Sequence, residues 1–296
     1  MNTSDDERLA RLARGLSLLP DKPEETAAST LAALRHAAAG APLSAERALA
    51  ASTPVLDAAA ERRLDGLVER RLAGVPLAHL TGRQAFLGLE LLAEPAALVP
   101  RRETELLGYA AVALAGELAA ASPAPILVID ACTGSGNLAL AVAAAVPSAR
   151  VFGGDLSKPA IDLARRNADR LGLAARVSFR DGDLLDPFDA PEFLGALDLL
   201  LCNPPYISSA KVAQMDAEIA AHEPHLAFDG GPLGVNVLMR LLQEAPRYVK
   251  TGGWLGFEVG LGQGPAMARR LRAGAYAEVR ELVDASGAVR ALLARR

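Results

Sequence analysis

The stretch "ILVIDACTGSGNLALA", Ile126 to Ala141, decides how this chain is read. It begins as a short continuous apolar run of strand length, breaks at Gly134 and Gly136, and resumes with small and apolar residues at helical density. A strand, a glycine-rich turn and a helix in that order open a βαβ unit. The glycines let the backbone turn tightly and approach a ligand with no Cβ in the way. Gly134, Gly136 and Ala139 fit the G-x-G-x-x-A dinucleotide pattern, and they fit other nucleoside-cofactor loops equally well. A strand-to-helix turn that binds nothing has the same spelling.

Downstream the pattern alternates. "NLALAVAAAVP" reads as helix, "RVFGGDL" as strand, "PAIDLARRNADRLGL" as helix, and "RVSFRDGDLL" and "LDLLLCNPPY" as strands. The tail offers "VNVLMRLLQEAPRYV" as helix, "GGWLGFEVG" as strand, "GPAMARRLRAG" as helix, and two short strands around Asp284 to Gly287. Strands separated by helices argue for a parallel sheet.

Upstream, Glu24 to about Leu72 is rich in Ala, Leu, Arg and Glu at helical spacing, with Ser44 after Pro42 as the N-cap of a new helix. "LTGRQAFLGLELLAEPAALVPR" carries Gly82, Gly88 and Pro95 between short apolar runs and reads as a hairpin or extended linker. "ETELLGYAAVALAGELAAA" is an amphipathic helix stopped before Pro123 and Pro125. The expected division is a helical domain over 1–80, a β-hairpin linker over 81–100 and an α/β domain over 101–296.

At 296 residues and 51% hydrophobic, the chain can bury a sizeable core. Aromatics are only 4%, so Ala, Leu and Val are expected to fill it, with aromatics at element ends or in a site. A net charge of −4 supplies no overall basic field for nucleic acid or an anionic membrane, so neither partner is expected. Cys132 and Cys202 lie far apart without metal-ligand spacing, which argues against zinc and against a disulfide framework, and fits a reducing compartment. No metal is expected. The first residues lack an apolar signal core, and no uncharged apolar run reaches about eighteen residues, so a cytoplasmic protein is expected.

The crevice beyond the carboxyl ends of the strands is where open α/β sheets bind ligands. Asp155 ends the second strand, where a carboxylate accepts both hydroxyls of a ribose; NAD and S-adenosyl-L-methionine each offer one. Asp130 stands at the tip of the first strand, where an acid repels a pyrophosphate and suits a sulfonium, which favours S-adenosyl-L-methionine. Asp183, with Leu184 beside it, ends the third strand within reach of an adenine amino group, although an acidic turn explains it as well.

Asn203 ends the fourth strand and is followed by Pro204, Pro205 and Tyr206. Each proline fixes φ, and Pro204 also holds Asn203 extended, so the loop keeps its amide and carbonyls in one orientation. A planar amino group becomes nucleophilic only when its two N–H groups are directed into acceptors. The Asn203 side-chain oxygen and the Pro204 carbonyl are two such acceptors, and Tyr206 can stack on the flat target. Cys132 has no histidine near it in sequence and reads as a small buried thiol, while His222 and His225 read as loop or capping residues.

Together "VPRRETELL", "DACTGSGNLALA", "NPPYI", "EPHLAFDGG" and "FEVGLGQG" resemble the release-factor glutamine N5-methyltransferase family, from about Arg70 onward. The NPPY motif alone marks only a wider group that methylates planar amino groups. The resemblance implies a Rossmann-like, seven-stranded methyltransferase sheet behind a helical domain that recognises the protein substrate, a peptide chain release factor. It implies that S-adenosyl-L-methionine lies on Cys132, Thr133, Gly134, Ser135, Gly136, Asp155 and Asn203. The target glutamine lies on Asn203, Pro204, Pro205 and Tyr206. The chain departs from the family pattern at Ala131 and Cys132 in the glycine loop, at Arg102, and at Leu233. Two other readings remain at this point: the same chemistry on a nucleic-acid base, a ribosomal protein or a small-molecule amide, and a nicotinamide-dependent oxidoreductase, which Asp130 and NPPY disfavour.

Overall fold

Helix-forming sequence dominates the first part of the chain, and the computed structural model, which describes residues 4–16, 22–214 and 222–296, folds it as helices α1 (Asp5–Gly15), α2 (Ala27–Ala38), α3 (Ala45–Ala50), α4 (Ala58–Leu72) and α5 (Leu77–Thr81). The first of these precedes the stretch read as helical from sequence. Its signal is a capping box: Ser4 Oγ accepts from Glu7 N while the Glu7 carboxylate accepts from Ser4 N. Leu12, Leu34, Leu64, Val68 and Leu77 form the core of this region, with Ala33, Ala38 and Ala48 between them. The buried Arg8 ties α1 to α4 through Glu61 at 2.7 Å and Asp65 at 2.8 Å.

Ser44 does sit at the N-cap of α3, but its side chain does not cap the helix. Its hydroxyl and backbone N–H both donate to the buried Glu90 carboxylate, at 2.7 Å each, because a buried charge competes for donors better than a helix end does. Glu90 belongs to a hairpin, β1 (Arg83–Phe86) with β2 (Leu89–Leu92), whose turn has Leu87 and Gly88 at φ 48° and 77°, both positive as a two-residue type I′ turn requires. The chain divides into two compact units, and the hairpin groups with the helices. The first unit comprises Met1–Pro95, Val99–Arg102 and Met215–Glu223; the second comprises Ala96–Leu98, Glu103–Gln214 and Pro224–Arg296.

The second unit opens with α6 (Thr104–Ala121) and then alternates β3 (Leu127–Ala131), α7 (Asn137–Ala145), β4 (Arg150–Asp155), α8 (Lys158–Arg170), β5 (Val177–Asp181) and β6 (Leu197–Cys202). A short α9 (Ser209–Val212) follows, then α10 (Asn236–Tyr248), β7 (Val249–Glu258), α11 (Gly264–Arg272), β8 (Glu278–Val283) and β9 (Val289–Arg295). One sheet contains seven strands in the order β5-β4-β3-β6-β7-β9-β8. β9 runs antiparallel to both neighbours, and the other strands run parallel. β6 is buried at every position, which is why its sequence is apolar without alternation apart from Asp198, whose carboxylate accepts from Leu127 N.

Chain order reverses beside β3, whose neighbours are β4 on one side and β6 on the other. Ala131 pairs with Gly154 and with Cys202, so the residues after β3, β4 and β6 emerge at one edge of the sheet, at the topological switch point. Among the described residues α6 alone has the length and apolarity of a membrane span; Leu107, Ala111, Leu114 and Ala115 on it are buried, and it packs on β6, β7 and β9. The aromatics contradict the expectation that they would avoid the core. Phe188, Phe193 and Phe257 are buried, and Phe152, Phe188 and Phe193 meet edge to face with centroids 5.0 to 6.4 Å apart, since a ring removes more surface from water than any aliphatic side chain.

Candidate active site

The glycine loop leaves β3 through three residues in left-handed conformation, Cys132 (φ 56°), Gly134 (φ 55°) and Gly136 (φ 85°). Side chains and backbone hold it from beneath. Thr133 N donates to Gly154 O at 2.9 Å, Gly134 N to Asp155 Oδ2 at 2.9 Å, and the buried Asn167 Nδ2 to Ser135 O at 3.0 Å. A Cβ at Gly136 would come within 3.0 Å of Phe179, so that glycine permits close packing. A Cβ at Gly134 would meet nothing within 4 Å, which leaves open space over the loop.

Asp130 is 1% exposed and lies under this loop. Its Oδ2 accepts from Thr133 Oγ1 at 2.5 Å and from Ala139 N at 3.2 Å, so it joins the loop to the first turn of α7, while its buried Oδ1 has no hydrogen-bond partner among the described residues. Burial raises its pKa to about 7, against the opposing pull of those two hydrogen bonds and with a smaller push from Asp155. Asp155 accepts from Gly134 N and Ser157 N with separate oxygens, which leaves a lone pair on each; burial holds its pKa above the usual range. Asp183 lies in the turn two residues beyond the end of β5, a correction to its placement on the strand, because pairing of β4 with β5 stops at Asp155 and Asp181. Both its oxygens accept from Arg240, at 3.0 and 2.8 Å, which still leaves a lone pair on each for an adenine amino group. Leu184 beside it is buried with φ 48°.

Asn203 is the first residue past β6. Its Nδ2 donates to Thr104 Oγ1 at 3.1 Å, and Thr104 donates its hydroxyl hydrogen to Glu258 Oε2 at 2.7 Å. With that hydrogen committed, Thr104 can only accept from Asn203, so the amide has its nitrogen inward and its oxygen directed away. Among the described residues nothing donates to Asn203 Oδ1 or to the Pro204 carbonyl. The Tyr206 hydroxyl lies 2.8 Å from Glu258 Oε1 and 3.0 Å from Glu103 Oε1, and Arg290 pairs with the other Glu103 oxygen at 2.8 Å. Burial and the two carboxylates push the Tyr206 phenol well above its ordinary pKa.

Gln263 clamps the loop from behind. Its Nε2 donates to the carbonyls of Tyr206 at 3.0 Å and Gly234 at 3.1 Å, and its Oε1 accepts from Gly260 N at 2.9 Å. Gly230 and Gly234 lie against the same loop: a Cβ on Gly230 would stand 2.6 Å from Pro205 O, and one on Gly234 2.4 Å from Tyr206 O. Glu103, Thr104, Glu258, Gln263 and Asn167 were not singled out from sequence. The first four lie inside the quoted motifs "VPRRETELL" and "FEVGLGQG", so their signal was a motif with no chemistry yet attached. Cys132 and Cys202 are both free thiols, and burial pushes Cys202 well above its ordinary pKa. No cluster of His, Cys, Asp or Glu that could hold a metal occurs among the described residues.

A parallel sheet with one reversed strand, a glycine loop at its switch point and an acid ending the next strand is the arrangement of a class I methyltransferase domain. A family profile described as "Methyltransferase domain" matches residues 128–223. In fold, the chain is similar to the N-terminal domain of human METTL16, with a TM-score of 0.52 and 16% identity over 76% of this chain and 81% of that one. The human METTL16 catalytic domain in complex with a MAT2A 3′UTR hairpin gives the same score, with 14% identity over 71% and 76% of the two chains.

Sequence relatives are narrower in kind. The release factor glutamine methyltransferase of Moorella thermoacetica is 40% identical over 256 residues, 86% of this chain and 87% of that protein. That of Bradyrhizobium diazoefficiens is 36% identical over 249 residues, 84% and 82% of the two. The chain belongs to the release factor glutamine methyltransferase family.

Proposed function

We propose that the protein transfers a methyl group from S-adenosyl-L-methionine to the side-chain amide nitrogen of a glutamine in a peptide chain release factor. The observation that carries this reading is the fixed amide of Asn203, whose oxygen is left without a partner at the edge of the sheet where the glycine loop emerges. The open space over Gly134 and the free lone pairs of Asp155 fit the cofactor's nucleoside, and the loop from Cys132 to Gly136 holds it. Bound there, S-adenosyl-L-methionine supplies an electrophilic methyl on a sulfonium and leaves as the neutral thioether.

The residues of the chain do the positioning. Asn203 Oδ1 and the Pro204 carbonyl accept the two N–H groups of the target amide, which holds its plane and turns the nitrogen lone pair outward as the N–C bond forms. Pro205 and Tyr206 flank the flat group, and the extra proton on nitrogen passes to water, so no strong base is required. The acceptor is a protein, and the first compact unit is its recognition domain; the family's relatives and the separate helical core of that unit support this. Two free thiols fit a cytoplasmic setting, and the net charge of −4 favours a protein acceptor over nucleic acid.

Methylation of a nucleic-acid base uses the same acceptor geometry and is the competing reading. One experiment separates the two: the protein, isotopically labelled S-adenosyl-L-methionine, and either a release factor with a Gly-Gly-Gln loop or RNA and DNA, followed by mass spectrometry. Label on the loop glutamine is expected. Label on nucleic acid with none on the release factor would overturn the proposal.

A further inference from the structure

Glu258 ends β7, is 1% exposed, and forms no ion pair among the described residues, Arg290 being paired with Glu103. Its two oxygens serve different parts of the NPPY loop: Oε2 reaches Asn203 through the Thr104 hydroxyl, and Oε1 meets the Tyr206 hydroxyl. Glu103, the other acid at this phenol, is neutralised by Arg290, and those two with Tyr206 are the titratable and charged groups that face Glu258 among the described residues.

The hydrogens can be counted. Tyr206 has one hydroxyl hydrogen and two carboxyl oxygens within 3.0 Å of it. If both acids are ionised, one oxygen faces the phenol oxygen with no hydrogen between them, a buried repulsion. One proton on Glu258 Oε1 removes it: Glu258 donates to Tyr206, Tyr206 donates to Glu103, Thr104 donates to Glu258 Oε2, and Asn203 donates to Thr104. Every group in the chain is then satisfied, and its polarity fixes which face of the Asn203 amide is turned away.

We propose that Glu258 is the positioning residue of the acceptor loop, orienting Asn203 through Thr104 and Tyr206 directly. It acts as a neutral acid, and burial that raises its pKa to about 7 agrees with that state. This rests on the methyl-transfer reading above and extends it: one side chain outside the acceptor loop sets both the accepting oxygen and the position of the phenol. A carboxamide carries the same pattern, with its oxygen toward Thr104 and its NH₂ toward Tyr206. The chemistry therefore requires a neutral donor and acceptor at this position, and no charge.

The test compares wild type, Glu258→Ala, Glu258→Gln and Thr104→Val for kcat on a release factor and for the S-adenosyl-L-methionine dissociation constant by calorimetry. Misplacing a reacting group slightly costs on the order of a hundredfold, so Glu258→Ala and Thr104→Val are expected to lose about ten- to a hundredfold in kcat, with the dissociation constant within about threefold of wild type. Glu258→Gln is expected to recover kcat to within about fivefold. Glu258→Ala working within about twofold of wild type, or Glu258→Gln falling as far as Glu258→Ala, would overturn the proposal. If Glu258→Ala does not fold, Thr104→Val decides, since it keeps the shape and removes the relay; unchanged kcat there also overturns it. Wild-type transfer to glutamine is read first in the same assay. Its absence overturns the functional reading and this inference with it, whereas normal wild-type transfer beside fully active variants overturns this inference alone.

Discussion

Asp130 uses one of its two oxygens, and its position under the loop has a cost that depends on pH. Its pKa is about 7 in the folded chain and near 3.9 when unfolded, so between those values the folded state holds a proton that the unfolded state has released. Stability from this group is therefore greatest at low pH, declines as pH rises from about 4 to about 7, and levels off above. Asp130→Asn cannot ionise, so its melting temperature relative to wild type is expected to rise over that interval; a constant difference from pH 4.5 to 8 would show that Asp130 titrates normally. Asn203 acts on the reaction itself. Asn203→Ala removes the outward oxygen and keeps both prolines, so turnover on a release factor is expected to fall on the order of a hundredfold or more while cofactor affinity falls less. Near-normal single-turnover rates would leave NPPY as a mere turn.

The NPPY loop is held as an element, by backbone as much as by side chains. Gly234 has φ 70°, and a Cβ there would stand 2.4 Å from the Tyr206 carbonyl. Gly88 in the hairpin has φ 77° and nothing within 4 Å of an added Cβ. Alanine at Gly88 then costs only left-handed strain, about 1–2 kcal/mol, whereas alanine at Gly234 has to displace the acceptor loop as well. Gly234→Ala is expected to lower kcat at least tenfold and stability by more than Gly88→Ala in urea titrations; equal stability losses with normal kcat would show the loop can yield. The central strands β3 and β6 were legible because strands buried on both faces are mostly apolar without alternation, and Asn203 was legible because a polar residue followed by two prolines stops one of them. Glu258 was not legible. It extends a strand by a single charged residue, as a solvated strand end would, and only the fold brings Thr104, 99 positions before Asn203, to link the two. Ser44 shows the converse: its local pattern is that of a cap, and a residue 46 positions away takes its hydroxyl.

At the scale of the molecule there are two compact units with separate cores, one built on Leu12, Leu34, Leu64 and Val68 and one on Ile129, Leu200, Leu255 and Phe257. The residues proposed to hold the cofactor all belong to the second. A ligand at about a hundred times its dissociation constant stabilises what it binds by roughly 2.7 kcal/mol, so scanning calorimetry with S-adenosyl-L-methionine is expected to resolve two transitions and raise only one. A single transition that shifts as a whole would show that the units unfold together. The recognition role of the first unit has its own test. A chain beginning after Leu72 is expected to methylate a short Gly-Gly-Gln peptide far better, relative to wild type, than it methylates a whole release factor; equal losses would remove that role.

The order of the sheet also governs when it can be completed. β9 follows β8 in sequence yet lies between β7 and β8, so until residues 289–295 have been synthesised and released from the ribosome, β8 has no neighbour and β7 has an open edge. Translation delivers the first unit, with its short-range helical contacts, long before that point. The catalytic sheet has to wait with Trp254, Leu255 and Phe257 on a strand paired to β6 on one side and open on the other, the kind of edge that recruits other chains. Ribosomes stalled shortly before Val289 should therefore carry nascent chains whose first unit resists protease and whose second unit is bound by chaperones, and synthesis of residues 289–295 followed by their release from the ribosome should convert the one state into the other.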